Sequence, residues 1–178
     1  VVGMPDTAVR ESKERVWSAM TCCGHFPPPG RTTINLAPAD VRKEGTSFDL
    51  PIAVSMIAAA NGFDRDNLKR TMLVGELALD GTVRPVRGIL PTAMHACREG
   101  ITNLLVPAAN AAEAGVVRGV NVFGISHLAE AVAFFQGNSE LRPVVVDLQD
   151  LYGGGDFSGP DLAEVKGQET AKRGMEIA

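Results

Sequence analysis

The chain of 178 residues is 45% hydrophobic and 21% charged, and its formal net charge is −4 at pH 7. These values suffice for one ordinary core, and they exclude a surface that is basic enough overall to coat nucleic acid, although a local patch can still bind phosphate. The most apolar run, from Ile52 to Ala60, is shorter than the roughly 18 residues that a membrane-spanning helix needs.

Cysteine content and the start of the chain bear on the compartment. Cys22, Cys23 and Cys97 are too few for a disulfide framework. Reduced thiols are typical of cytoplasmic proteins. The chain starts at Val1 and shows no basic segment followed by an apolar one, so no secretory signal is visible. We therefore expect a cytoplasmic protein.

The first predicted element is a helix that Asp6 caps and that runs to about Met20. Helical spacing places four apolar side chains on one side, namely Val9, Val16, Trp17 and Met20. The opposite side, which we expect to face water, carries charge pairs at four-residue spacing formed by Arg10, Glu11, Glu14 and Arg15.

One strand and one buried helix are predicted next. Thr32, Ile34 and Leu36 alternate with polar residues, which is the period of a strand with one buried face. From Leu50 to Ala60 the chain is apolar on all sides, so we expect a helix that is buried all round, with Asp49 as its cap.

The second half of the chain mixes hairpin and helical patterns. Thr71 to Val86 predicts a hairpin, because two alternating runs flank Asp80-Gly81, a dipeptide that tolerates the positive φ angles of a tight primed turn. Three helices are predicted after the hairpin, at Leu90–Glu99, at Ala109–Val116 and from a Ser126 cap to Phe135. Two strands are predicted between them, at Asn103–Val106 and Val120–Phe123. This order predicts an α+β fold, a two-layer α/β sandwich with a mixed sheet and helices on one face.

The regular pattern ends at Gly137. Residues 138–160, which include DLYGGGDFSGP, have little periodicity and are interpreted as a linker. Residues 161–178 regain helical character, and we interpret them as the start of a second, truncated domain. The predicted organisation is therefore a first domain over 1–137, a linker over 138–160 and a second domain from 161.

The candidate nucleotide-binding and metal-binding motifs are incomplete. Gly154 and Gly159 have the spacing of a P-loop, but Pro160 stands where a lysine must reach the phosphates. Cys22, Cys23 and His25 are close in sequence, yet no second element supplies the remaining ligands of a zinc site. We predict no cofactor and no metal within these residues.

Ser47 is the candidate nucleophile. The segment VRKEGTSFDLPIAVSMIAAANG places it in a turn of small residues just before the apolar helix, where backbone N–H groups and the helix dipole favour an oxyanion. A serine in such a turn is more often a cap or turn residue, so the residues alone leave both interpretations open.

The same region resembles Lon proteases. KEGTSFD resembles the KDGPSAG segment of Lon, with Ser47 in the place of the catalytic serine, and GELALDGTVRPVRGILPTAMHACREG resembles the hairpin and helix that follow it. The resemblance implies the fold of the Lon proteolytic domain. Leu90 stands where Lon has its activating lysine. Leucine accepts no proton, and Arg84 and Arg87 stay protonated, so the resemblance implies a domain without proteolytic activity.

A broader resemblance covers nearly the whole chain outside the linker. VVGMPDTAVRESKERVWSAM, INLAPADVRKEGTSFDLPIAV, GELALDGTVRPVRGILP and VKGQETAKRGMEIA are similar, in this order, to segments of the magnesium-chelatase-like, or YifB/ComM, family. The resemblance implies a Lon-type domain followed by an AAA+ ATPase module, whose P-loop, ATP and Mg²⁺ would lie beyond Ala178. It also implies residues before Val1, with one or two opening strands of the domain among them. It does not imply magnesium insertion.

Members of this family are described as hexameric ring motors that drive DNA branch migration in natural transformation. The resemblance therefore implies an ATPase and helicase for the intact protein, and here an accessory domain that binds single-stranded or branched DNA, supports ring assembly, or both. Candidate phosphate contacts are Arg31, Arg42, Lys43, Arg84 and Arg87. Ordinary solvated surface charge explains each of them singly. Two alternatives stay open: a Ser47-dependent peptidase with an unrecognised base, and an assembly module without nucleic-acid contact.

Overall fold

The computed structural model describes residues 1–26, 30, 32–38, 40–147 and 164–177. The chain divides into two compact units, Val1–Val146 and Asp147–Ala178. In the second unit the structure describes a helix over Glu169–Ile177, here α7. Most of the predicted linker lies outside the described residues, and the proposed domain boundaries stay a prediction.

The first unit contains helices and short strands in alternation. Its helices are α1 (Thr7–Cys22), α2 (Asp49–Asn61), α3 (Arg65–Arg70), α4 (Ile89–Arg98), α5 (Ala111–Gly115) and α6 (Leu128–Phe135). Its strands are β1 (Thr71–Leu73), β2 (Glu76–Leu77), β3 (Val83–Arg84), β4 (Asn103–Pro107) and β5 (Asn121–Ile125), with a 3₁₀ turn at Ala108–Asn110. In the part of the chain that the structure describes, no helix is both long and apolar enough to cross a membrane.

Parallel and antiparallel pairs lie in separate sheets. The strands β1, β4 and β5 form a parallel sheet in the order β1-β4-β5, with Met72 opposite Leu104 and Leu104 opposite Val122. The strands β2 and β3 form an antiparallel ribbon in which Leu77 faces Val83. The predicted α+β class is confirmed.

Both faces of the parallel sheet are covered by helices. Leu105 and Phe123 belong to a core shared with α1, α2 and α6, whereas Leu104 and Val122 belong to a second core with residues of α4 and α5. The sequence predicted helices on one face only. The difference arises because a connection between parallel strands crosses over a face of the sheet, as α5 does between β4 and β5.

The cap of the amino-terminal helix agrees with its prediction, but Trp17, which was predicted on the buried side, is 44% exposed, and the helix runs to Cys22. The Asp6 carboxylate accepts a hydrogen bond from the Val9 N–H at 2.8 Å and caps α1.

The next segment also differs from its prediction. The predicted strand at Thr32–Leu36 is not formed as a strand. Only Asn35 of this segment pairs, in one parallel bridge with Val2.

Helix α2 begins one residue earlier than predicted, and its cap differs. Phe48 occupies the N-cap without a side-chain hydrogen bond, and Asp49 lies inside the first turn. The prediction of Asp49 as the cap is wrong, because its carboxylate binds Arg15 of α1 instead.

The central hairpin is shorter than predicted, and its turn is of a different type. Its strands are β2 and β3, and β1 belongs to the parallel sheet. Gly81 alone has a positive φ, +92°, while the Ala78 N–H donates to Thr82 O and the Gly81 N–H to Ala78 O. These contacts define a three-residue loop with a bulge at Gly81, so the predicted two-residue primed turn is wrong.

The elements after the hairpin lie close to their predicted positions. The bounds of α4, β4 and β5 are within one or two residues of those read from the sequence. The cap of α6 is His127, whose Nδ1 accepts from the Ala129 N–H at 3.3 Å, and not Ser126 as predicted. Ser126 instead donates its backbone N–H to the Glu130 carboxylate at 3.0 Å.

Candidate functional site

The Ser47 turn forms one wall of a cleft at the amino end of α2. The facing wall comes from β2 and from the segment after β3, and the cavity has a volume of about 400 Å³. Its lining residues are Glu44, Gly45, Thr46, Ser47, Glu76, Pro85, Val86 and Arg87. Both segments that resemble Lon therefore contribute to the same cleft.

Ser47 itself is half-buried, and its backbone is fixed. Its carbonyl accepts a hydrogen bond from the Gly75 N–H at 3.1 Å, and the Leu50 N–H donates to Gly75 O at the same distance. Among the described residues, no side chain hydrogen-bonds to the Ser47 hydroxyl, and in particular no amine or imidazole does. A hydroxyl without a neighbouring base is a weak nucleophile.

Leu90 lies in the first turn of α4 and outside the lining of the cleft. Its backbone N–H donates to the Glu113 carboxylate at 3.2 Å, which ties the start of α4 to α5. The basic group that does line the cleft is Arg87, and a guanidinium is permanently protonated. This arrangement offers charge to a bound group, and among the described residues no proton acceptor is hydrogen-bonded to the Ser47 hydroxyl.

The acidic side chain that faces the Ser47 turn already has two partners. The Thr46 hydroxyl donates to the Glu76 carboxylate, and Arg84 Nη1 lies 3.6 Å from the other Glu76 oxygen. These contacts connect the turn before α2 to the β2–β3 ribbon. Glu76 therefore holds the two walls of the cleft together.

A buried ion pair lies directly behind the turn, and the sequence did not reveal it. Arg15 Nε donates to Asp49 Oδ2 at 2.7 Å and Arg15 Nη2 to Asp49 Oδ1 at 3.1 Å, while the Leu77 N–H donates to Asp49 Oδ2 at 3.3 Å. Burial raises the pKa of Asp49 above its ordinary value, and the hydrogen bonds from Arg15 and Leu77 act in the opposite direction. The same pairing raises the pKa of Arg15. The expectation that Arg15 faces water is therefore wrong.

Asp6 also supports the turn. One carboxylate oxygen caps α1 through Val9, and the other accepts from the Gly45 N–H at 3.1 Å. These two backbone hydrogen bonds, that of Val9 first, lower the pKa of Asp6 below its ordinary value. The start of α1 and the Ser47 turn thus share one carboxylate.

The predicted phosphate contacts fall into three situations. Arg31 lies outside the described residues. Lys43 is buried, and its ammonium donates to the backbone carbonyls of Pro38 and Val41, so it is not presented to a ligand. Arg87 lines the cleft. Arg42 and Arg84 form ion pairs with two acidic residues of its lining, Arg42 with Glu44 at 3.1 Å and Arg84 with Glu76 at 3.6 Å. Three of the five candidates therefore gather around one cleft.

A cysteine and a histidine meet at the tip of the β2–β3 ribbon. Cys23 Sγ lies 3.9 Å from His127 Nδ1, and His127 Nε2 donates to Asp80 O at 3.1 Å. Burial raises the pKa of the Cys23 thiol, which is opposite to the change that activates a nucleophilic cysteine. Across the described ranges, no three His, Cys, Asp or Glu side chains converge as a metal site would require.

Residues 1–110, which contain the whole cleft, match the family profile described as subunit ChlI of Mg-chelatase. The chain belongs to this family. The profile covers α1, α2, the ribbon and the parallel strands as far as β4.

Two relatives from the magnesium-chelatase-like group are similar to this chain over nearly all of its length. YifB of Salmonella typhimurium is 43% identical over 178 residues, which cover 99% of this chain and 34% of that protein. The competence protein ComM of Haemophilus influenzae is 38% identical over 181 residues, which cover 100% of this chain and 35% of that protein. The chain thus spans about a third of the length of these relatives.

The similarity to Lon is shorter. Lon protease 1 of Sorangium cellulosum is 32% identical over 105 residues, which cover 56% of this chain and 13% of that protein. The resemblance that the Ser47 turn and the hairpin indicated is therefore present, on about half of the chain.

Proposed function

We propose that this chain is a non-proteolytic, Lon-like accessory domain of a magnesium-chelatase-like AAA+ ATPase that moves branched DNA during natural transformation. In this proposal ATP and Mg²⁺ bind to a module outside the 178 residues. The domain contributes to DNA binding, ring assembly or both. The observation that carries the proposal is the Ser47 hydroxyl, which stands at the Lon nucleophile position and has no hydrogen-bonded base among the described residues.

The proposed role in natural transformation is supported by the name of one relative. The relative ComM is named a competence protein, and it aligns with the whole of this chain at 38% identity. The cleft adds a physical reason for nucleic acid, because Arg42, Arg84 and Arg87 surround it. Exposed pairs such as Arg42–Glu44 contribute only about 0–1 kcal/mol, so a phosphate can compete with the carboxylate for the guanidinium.

The absence of proteolysis is tested with a serine-reactive phosphonate probe. We expect no labelling of Ser47 and no casein cleavage above that of Ser47→Ala, because no described side chain is hydrogen-bonded to the hydroxyl to take its proton. Labelling of Ser47, together with cleavage that Ser47→Ala abolishes, would establish the peptidase instead.

The DNA contact is tested by fluorescence anisotropy with a single-stranded and a branched oligonucleotide at about 50 and 200 mM salt. We expect Arg84→Ala with Arg87→Ala to weaken binding to all sequences alike and to reduce the slope of log affinity against log salt by about 1–2. Arg98→Ala with Arg118→Ala removes the same charge from exposed positions outside the cleft and serves as the control. Equal effects of the two pairs would place the contact elsewhere, and no binding by the parent chain would favour the assembly module.

A further inference from the structure

Asn110 is a buried polar side chain, 8% exposed, that lies outside the lining of the cleft. It is the last residue of the 3₁₀ turn after β4 and occupies the N-cap of α5. An asparagine at an N-cap normally accepts a hydrogen bond from the first turn of its own helix. Here the side chain makes no such bond, so its amide is available to another partner.

That partner is Val86, in the wall of the cleft. The Val86 N–H donates to Asn110 Oδ1, and Asn110 Nδ2 donates to Val86 O, both at 3.0 Å. The side-chain amide thus pairs with both backbone polar groups of one residue, as a neighbouring strand does. Among the described residues, Val86 has no other hydrogen-bond partner. The orientation of its backbone therefore depends on Asn110.

Apolar packing alone does not fix that orientation. The Val86 side chain packs against the second core, which keeps the residue close to the parallel sheet. Such packing is non-directional and leaves a short segment free to rotate. The preceding residue, Pro85, has no N–H with which to add a hydrogen bond. The buried amide of Asn110, with both of its polar atoms paired, supplies the missing direction.

Arg87 follows Val86 directly and is the arginine of the cleft lining. Arg42 pairs with Glu44 and Arg84 with Glu76, whereas no described carboxylate pairs with Arg87. A guanidinium without such a partner has all of its N–H donors available to a bound oxyanion. The placement of this side chain therefore matters most for a ligand of the cleft.

The chain is held on both sides of Arg87. Gly88 has a φ of +76°, which side chains of L-residues rarely adopt, and the chain turns there into α4. The Leu90 N–H then donates to the carboxylate of Glu113, three residues after Asn110. The start of α5 thus binds the backbone before and after the arginine. A side chain on a fixed backbone loses less entropy when it binds a ligand.

We propose that Asn110 is a positioning residue of the cleft, which fixes Val86 and thereby presents the Arg87 guanidinium to a phosphate group of a bound ligand. Asn110 itself touches no ligand. For the source of the phosphate the inference rests on the proposed DNA role, since the backbone of a DNA strand supplies that group. The presentation of Arg87 does not depend on that role.

The first test is a double-mutant cycle in the anisotropy experiment with single-stranded DNA. Asn110→Ser keeps a residue that suits a helix N-cap, but its hydroxyl is too short to hold both groups of Val86. At about 50 mM salt we expect it to lower the affinity about three- to tenfold, through the loss of one phosphate contact. It should have no further effect together with Arg87→Ala and its full effect together with Arg84→Ala. An undiminished loss in the Arg87→Ala background would overturn the proposal.

The second test measures the presentation of Arg87 without DNA. Inorganic pyrophosphate is titrated while the side-chain Nε–H signal of Arg87 is followed by NMR, with Arg98, an exposed arginine outside the cleft, as the reference. We expect a larger shift for Arg87 than for Arg98 in the parent chain and the loss of most of this difference in Asn110→Ser. Asn121→Ala, which removes an exposed asparagine contact of β5, should leave the difference unchanged.

The outcomes of the second test separate the two proposals. Equal shifts of Arg87 and Arg98 in the parent chain would overturn the positioning of Arg87. So would a difference that persists in Asn110→Ser, provided that the amide signals of β5 show a folded variant. Pyrophosphate binding that depends on Asn110, without any binding of the oligonucleotide, would support the positioning of Arg87 and overturn the proposed DNA role.

Discussion

Ser47 and Asp49 are two residues apart at the start of α2, and their surroundings are opposite. Asp49 is completely buried, and its carboxylate receives hydrogen bonds from Arg15 and from the Leu77 N–H. Ser47 lines an open cleft, and no described side chain contacts its hydroxyl through a hydrogen bond. The polar partners at this end of the helix therefore hold elements together, and none prepares the hydroxyl for chemistry.

In the proposed non-proteolytic domain, this difference indicates which contacts a Lon-like framework keeps when the reaction is absent. A catalytic serine needs a base that is itself held in place by specific contacts. Arg15 makes contacts of this kind, but with Asp49. Here the specific contacts connect α1, α2 and β2. We expect stability to depend strongly on Asp49 and hardly at all on Ser47.

The largest effect is expected for Asp49→Ala. Removal of the carboxylate leaves Arg15 without its buried partner and the Leu77 N–H without an acceptor, which should lower the free energy of unfolding by about 3 kcal/mol. Urea denaturation measures this change. Asp66→Ala, at an exposed position in α3, is the control and should cost less than about 1 kcal/mol. A loss for Asp49→Ala no larger than that of the control would contradict the comparison.

An intermediate effect is expected for Thr46→Val, which keeps the shape of the side chain and removes the hydrogen bond to Glu76. We expect a loss of about 1 kcal/mol in the same denaturation experiment. A double-mutant cycle with Glu76→Ala isolates the pair, and a coupling energy near zero would show that the contact does not join the walls of the cleft.

A smaller effect, which depends on pH, is expected from Asp6. Its pKa is lower in the folded chain than the ordinary value of 3.8, so its contribution to stability is present above pH 3.8 and is lost as pH falls through the folded value. The melting temperature should therefore fall more steeply below about pH 4 for the parent chain than for Asp6→Asn, whose amide does not titrate in this range. Identical pH profiles for the two chains would rule out this role.

The smallest effect is expected for Ser47→Ala, within about 0.5 kcal/mol of the parent chain, because no described side chain pairs with the hydroxyl. Thr46→Val, one residue earlier in the same turn, is the matched comparison. A loss for Ser47→Ala as large as that for Thr46→Val would mean that the hydroxyl has a partner and that the contrast with Asp49 is mistaken.

Local sequence signals predicted most of the fold. Asp6 is followed by a helical pattern, and the cap forms as expected. The strands β4 and β5 were recognisable because each is a short apolar run between helical patterns. The family resemblance followed from quoted segments in their order, and it is confirmed by the profile match over residues 1–110.

The contacts between distant segments could not be predicted from local patterns. Asp49 had the spacing of a cap, and only the fold brings it to Arg15, 34 positions earlier in the chain. Lys43 had the composition of an exposed charge, yet its ammonium donates to the carbonyls of Pro38 and Val41. The roles of Ser47, Leu90 and the arginines remain predictions, because each depends on a bound partner or a measured reaction.

The parallel sheet has a consequence for how this polypeptide matures on the ribosome. Ile57 of α2 is synthesised well before Phe123 and Ile125 of β5, which belong to the same core. At elongation rates of about 5–20 residues per second, the helix waits on the order of several seconds for that strand. During this interval the apolar side chains of α2 that β5 later covers are exposed to water.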